Sequence, residues 1–303
     1  GNDMARKQRV SWNALAVFRF FVNALPHSTA VALGGFLGGL VPKFTARKFN
    51  EATGRCADVL GVSKERAAGI VRGAYKHFGR GAAEFARMPY AAAHINDLVR
   101  VHGEEHLRKA YDAGHGVMLA TGHIGNWEYA AAWCAHNGYT INALGTDQRD
   151  DRITNLILEL RRAGGSKALG KATDLRAMLK ALQDGEIIAV PIDQDARKKG
   201  VLSMFLGRPA STPVGVAKLA AKVGCAVVPA FCIRSSDGLT FDFNILPPLE
   251  GRGGRPYGED VQSSLDDCND KISQAIRENP DQWMWMYPRW ESVEAGDFDD
   301  LRD

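Results

Sequence analysis

The chain has 303 residues, with 45% apolar and 24% charged content, which excludes a disordered chain and allows a sizeable core without staples. Five scattered cysteines (Cys56, Cys134, Cys225, Cys232, Cys268) lack any C-x-x-C pair, so a zinc or dithiol redox site is excluded and reduced core thiols facing a cytosolic compartment are expected. Net charge is only +3, yet residues 1–48 hold seven basic side chains against the single acid Asp3, a bias that suggests an anionic membrane surface rather than nucleic acid.

The N-terminal segment, 1–42, is the most apolar part of the chain. From Phe20 to Pro42 no residue is charged, enough in length to span a bilayer. Its content argues otherwise: Asn23, Pro26, His27, Ser28 and Thr29 interrupt it, and Gly34, Gly35, Gly38 and Gly39 weaken it. Two helices broken at Pro26 are expected. The first, near Ser11–Leu25, carries Trp12, Phe18, Phe20 and Phe21 around Arg19, as an interfacial helix does. A solvated arm is the plainer alternative, and no small-x-small cleavage site follows the apolar run.

Residues 43–99 read as a helical subregion. Helices are expected over Arg47–Leu60 and Ser63–Met88, with Gly61 as a stop, Ser63 as a cap and Pro89 closing the second. From residue 100 to 292 short apolar runs alternate with helical ones. Strands are expected at Val117–Ala120, Tyr139–Leu144, Glu186–Ile192, Ala226–Ile233 and Leu239–Ile245. Helices are expected at Gly125–His136, Asp150–Ala163, Thr173–Gln183, Thr212–Lys222 and Asp260–Glu278. The alternation predicts an α/β domain, a central sheet flanked by helices. The acidic tail, 293–303, is expected to be disordered.

The stretch Thr121-Gly-His-Ile-Gly-Asn-Trp-Glu128 sits between an expected strand and an expected helix, where ligands bind in α/β sheets. A chain reversal could return the Glu128 carboxylate to the His123 imidazole, fixing its tautomer and leaving the other nitrogen to accept a proton. Backbone N–H groups at the helix start could face a developing oxyanion. Taken alone, His with Glu five residues on fits a core histidine and a surface acid equally well.

The wording of the motifs goes further. "GHIGNWE" resembles the H-x4-D/E signature of glycerolipid acyltransferases, in the branch holding the late acyltransferases of lipid A biosynthesis and the mycobacterial phosphatidylinositol mannoside acyltransferase. "LELRRAGGSKAL" (158–169), "VPIDQDARKKGVLSMFLGRPASTPVG" (190–215) and "QWMWMYPRW" (282–290) resemble further segments of that family, in its order, across most of residues 10–292. One departure is Tyr287-Pro288, where many members have His-Arg.

The resemblance implies a glycerol-3-phosphate acyltransferase-like mixed sheet and acyl transfer from acyl carrier protein or coenzyme A to a hydroxyl of a lipid A-type glycolipid precursor, with another glycolipid or a lysophospholipid as the alternative acceptor. It also implies the cytoplasmic face of a bacterial inner membrane, with no metal or organic cofactor. On that reading His123 is the general base and Glu128 orients it. Arg161 or Arg162, undecided between them, binds phosphate or an oxyanion, and Asp193 is an acidic active-site position. Gly125, Asn126, Trp127, Gln194, Arg208 and Thr212 are candidate substrate contacts, Thr212 also a candidate N-cap. Trp285 and Arg289, with Trp283 and Trp290, form a candidate interfacial aromatic set, core packing being the alternative.

Other classes fit less well. H-x4-E is not H-E-x-x-H, and neither a P-loop nor G-x-G-x-x-G occurs. No G-x-S-x-G elbow and no cysteine near these motifs offers a nucleophile, so direct transfer is expected over an acyl-enzyme. A non-catalytic lipid-binding protein shares the N-terminus but leaves His123, Glu128 and Asp193 unexplained.

Overall fold

The computed structural model describes residues 2–145, 148–171 and 174–301. Four helices open the chain: α1 (Asn2–Ala24), α2 (His27–Phe44), α3 (Ala46–Leu60) and α4 (Lys64–Ala86). The break at Pro26 falls where expected, since proline cannot continue the α1 hydrogen-bond ladder. Gly61 ends α3 in the left-handed conformation, and the Ser63 hydroxyl caps α4 by accepting the Arg66 N–H at 3.2 Å. Pro89 opens the next short helix, Met88–Ala93, rather than merely closing α4.

The glycines of α2 are a packing device. A Cβ on Gly34 would lie 2.4 Å from the Gly79 carbonyl oxygen, and one on Gly79 would lie 2.2 Å from that of Gly34. The backbones of α2 and α4 are therefore in direct contact, a spacing that only glycine permits. Gly79→Val is expected to force the helices apart and cost about 1–3 kcal/mol or more; thermal unfolding checks this, and an unchanged Tm would mean the seam can open at no cost.

The α/β part holds β1 (Val99–His102), β2 (Val117–Thr121), β3 (Ile141–Gly145), β4 (Lys167–Lys171), β5 (Ile187–Pro191), β6 (Val201–Phe205), β7 (Arg208–Thr212), β8 (Ala226–Arg234) and β9 (Phe241–Ile245). Seven of them form one sheet in the order β1-β9-β8-β2-β5-β3-β4, and β6 with β7 forms a separate hairpin. All neighbours are parallel except β8 with β9, so the central sheet is mixed, as expected. Each of the five residues of β2 is buried, as a strand covered by helices on both faces must be. Met118, Ile188 and Val227 join the core on one face, and Val117, Ile187 and Val228 join that on the other.

Several expectations change. β1, β4 and the β6–β7 hairpin are not among the expected strands; β1 (Val-Arg-Val-His) and β4 (Lys-Ala-Leu-Gly-Lys) carry no apolar run, whereas β6 (Val-Leu-Ser-Met-Phe) does. Thr212 ends β7 instead of capping a helix; that helix, Gly215–Val223, has Val214 at its N-cap. The expected helix start at Thr173 lies outside the described residues, and the helix Leu175–Gln183 is capped by Asp174. The tail departs from disorder as far as Leu301: Val293 and Phe298 are buried, and the Asp297 N–H bonds the Ser292 carbonyl at 3.0 Å. Two apolar side chains docked on the domain hold the acidic residues between them.

Candidate active site

The register of two central strands creates the site. β2 and β5 run parallel with Thr121 opposite Pro191, and the Ile192 N–H donates to the Thr121 carbonyl at 3.0 Å. Two residues beyond each strand stand His123 and Asp193, brought together at the carboxyl edge of the sheet. His123 Nδ1 lies 2.7 Å from Asp193 Oδ1, and the His123 backbone N–H donates to Oδ2 at 2.6 Å. The Trp283 indole N–H donates to the same Oδ2 at 2.9 Å. A carboxylate can only accept, so Nδ1 carries the proton and Nε2 is the free acceptor. Trp127 packs edge-on against the imidazole, 5.1 Å between ring centres.

Burial would lower the His123 pKa, but the charge and hydrogen bond of Asp193 outweigh it and hold the imidazole above its ordinary value. Burial would likewise raise Asp193, and the His123 charge, its hydrogen bonds and the Trp283 indole hold the carboxyl below its usual range. Each partner thus favours the charged form of the other.

Glu128 does not orient His123. It lies in the first turn of the helix Trp127–His136 and accepts from Arg161 Nη2 at 2.9 Å and Nε at 3.1 Å. Arg161 Nη1 also donates to the Leu144 carbonyl at the end of β3, at 3.2 Å. Of the guanidinium's five N–H groups, three are engaged and two have no partner among the described residues. Arg161 lines the cavity described below, while Arg162 is exposed to solvent. The expected oxyanion donors are mostly committed: the N–H of Gly125 bonds Gln282 and that of Asn126 bonds Cys232.

His123, Glu128 and Arg161 line a cavity of about 600 Å³ whose other walls are largely apolar, among them Phe85, Met118, Met178 and Val216. Gly125, Asn126, Trp127 and the exposed Gln194 border it. Among the described residues no group of three or more His, Cys, Asp or Glu is placed to hold a metal ion.

Residues 4–292 match the family model described as bacterial lipid A biosynthesis acyltransferase. The chain belongs to that family. It is 27% identical over 194 residues to phosphatidylinositol mannoside acyltransferase of Mycobacterium tuberculosis (strain CDC 1551 / Oshkosh), covering 63% of this chain but only 59% of that relative. It is 24% identical over 294 residues to lipid A biosynthesis lauroyltransferase of Escherichia coli (strain K12), covering 95% of this chain and 93% of that one.

In this member of the lipid A acyltransferase family, the remaining expected contacts lie away from the cavity. Trp283, Trp285 and Trp290 are 1%, 0% and 3% exposed and pack with Phe205, tilted or edge-on, into one aromatic cluster. They are core, not a belt at a membrane surface. Arg289 is also fully buried and holds β7, donating to the Ser211 carbonyl at 2.7 Å and to the Thr212 hydroxyl at 3.3 Å. Arg208, at the start of β7, pairs with Phe205 across the hairpin. The functional contact that the sequence reading misses is the Trp283 indole on Asp193. The W-x-W spacing marks that tryptophan, but only the fold brings it to a carboxylate 90 residues away.

Proposed function

We propose that the chain is an O-acyltransferase that moves a fatty acyl chain from a thioester of acyl carrier protein or coenzyme A to a hydroxyl of a lipid A-type glycolipid. One observation carries this reading. An imidazole with Nδ1 held by a carboxylate and Nε2 free stands at an apolar cavity large enough for a lipid chain. His123 Nε2 takes the proton of the acceptor hydroxyl as its oxygen attacks the thioester carbonyl. The tetrahedral intermediate collapses by breaking the C–S bond, and the thiolate leaves with the proton from the imidazolium. Asp193 stabilises that imidazolium. Arg161, held by Glu128 and Leu144, offers its two remaining N–H groups to the oxyanion or to a phosphate. No cofactor is required by these steps.

A second acceptor, a phosphatidylinositol mannoside, is favoured by the higher identity of the mycobacterial relative. Incubating the chain with a panel of acyl-carrier-protein and acyl-coenzyme A donors, a lipid A precursor and a phosphatidylinositol mannoside distinguishes them by which lipid gains mass. Thioester cleavage without transfer to either keeps the chemistry and discards both acceptors. Absence of any thioester turnover leaves a lipid-binding protein.

We further propose an interfacial placement on the cytoplasmic face of a bacterial inner membrane. Among the described residues no single helix is long and apolar enough to cross a membrane; α2 and α3 together reach that length, bent by 98°. Phe20, Phe21, Phe36 and Phe44 are 69%, 52%, 64% and 86% exposed, and basic Lys43, Arg47 and Lys48 follow on the same segment. Each inserted Phe contributes about 1.5–3 kcal/mol. Replacing all four with Ser is therefore expected to lower partitioning onto anionic vesicles by well over tenfold, read by co-sedimentation. Unchanged partitioning would sink the placement.

A further inference from the structure

The loop that carries His123 is tied from beneath by a buried ionic network outside the proton path. Glu84 and His77 lie on α4, and Arg234 ends β8; they are 0%, 4% and 7% exposed. Arg234 donates to both Glu84 oxygens, at 2.7 and 2.8 Å, and its Nε donates to His77 Nδ1 at 3.1 Å. Because Nδ1 accepts, the His77 proton sits on Nε2, which donates to the Gly125 carbonyl at 2.9 Å. Glu84 also accepts from the Asn126 side-chain amide at 3.3 Å.

Gly125 is where this network meets the catalytic loop. Its φ is +64°, and a Cβ there would fall 1.9 Å from the Cys232 carbonyl oxygen, so the peptide is pressed against β8 in a conformation that needs glycine. The Gln282 side chain clamps the Arg234 backbone from both sides, accepting its N–H at 2.8 Å and donating to its carbonyl at 3.0 Å. Both ring nitrogens of His77 are thus committed, and burial beside Arg234 lowers its pKa to about 3. It is not a second base.

We propose that His77 is a positioning residue for acyl transfer: braced by Arg234 and Glu84, it fixes the Gly125 peptide and thereby the placement of His123 two residues earlier. This rests on His123 being the general base. Misplacing a reacting group by about 1 Å costs on the order of 10²-fold in rate, while the acyl cavity keeps its other walls, so the effect falls on kcat rather than KM.

Two substitutions separate this from a purely structural role. His77→Gln places an amide N–H where Nε2 stood, keeping the donor to Gly125 but depriving Arg234 Nε of its acceptor. His77→Asn keeps that acceptor and loses the donor. A structural role predicts that His77→Asn is the better enzyme, because it leaves no charged donor unpaired in the core. Positioning predicts the reverse: His77→Gln keeps most of kcat, while His77→Asn loses about 10- to 100-fold with KM unchanged. The full chains are assayed with the thioester that the wild type turns over fastest in the donor panel, beside His123→Ala and with Tm measured for each. Activity that follows Tm, or equal kcat in the two His77 variants with His123→Ala inactive, overturns the positioning role alone. Turnover retained in His123→Ala overturns the base on which it rests.

Discussion

His123→Ala is expected to lower acyl transfer by about 10²–10⁴-fold, the usual contribution of a general base, and to leave the fold intact. The fold survives because Asp193 keeps two of its three donors, the backbone N–H of residue 123 and the Trp283 indole. A buried carboxylate with those partners remains satisfied. Steady-state transfer with circular dichroism alongside checks both halves. Transfer within about twofold of wild type, well short of a base's usual contribution, would place the base elsewhere.

The second large effect is expected in Asp193→Asn, and it has two parts. The amide can no longer stabilise an imidazolium, so kcat falls by about 10³–10⁴-fold, the scale seen when the carboxylate of a His–Asp pair is neutralised. The pH dependence also moves. In the wild type Asp193 holds His123 above its ordinary 6.5, and a base must be neutral, so kcat/KM rises with pH through a midpoint above that value. Without the carboxylate only burial acts on the imidazole, and the midpoint drops. Glu128→Gln is expected to leave the midpoint in place, because Glu128 bonds Arg161 and not His123. A pH–rate profile in which Glu128→Gln shifts the limb and Asp193→Asn does not would reverse these assignments.

Stability follows the opposite course across pH. His123, raised in the folded state, contributes stability that is full below 6.5 and is lost as pH rises through its folded value. Asp193, depressed in the folded state, contributes stability that is present above 3.8 and is lost as pH falls through its folded value. The pair therefore stabilises most between those limits, where the imidazole is charged and cannot act as a base.

What could be read from the sequence follows burial. β2, β5, β8 and β9 are apolar runs or clean alternations and are legible, whereas β1 (Val-Arg-Val-His) and β4 (Lys-Ala-Leu-Gly-Lys) lie at the sheet edges and lack a full apolar face. His123 and Asp193 are each legible as residues at strand ends. Their pairing is not, since it depends on which strands are neighbours, and the nearby Glu128 offers a shorter and incorrect route. Arg161 and Arg162 are not separable in the sequence, because apolar Ile157 and Leu158 stand one turn before each; only the fold puts the Ile157–Arg161 face on the cavity. The tryptophans near residue 285 show the limit, because an aromatic set beside an arginine has the same composition in a core as at a membrane surface.

The glycine seam between α2 and α4 has a mechanical consequence. Helices that touch through their backbones have no layer of side chains to shear, so the pair moves as a single plank. One edge of that plank carries the exposed Phe36 and Phe44, and the other bears Phe78 and Phe85 on the cavity wall. A displacement of α2 is passed to the α4 side of the cavity through the backbone contact at Gly34, Gly38 and Gly79.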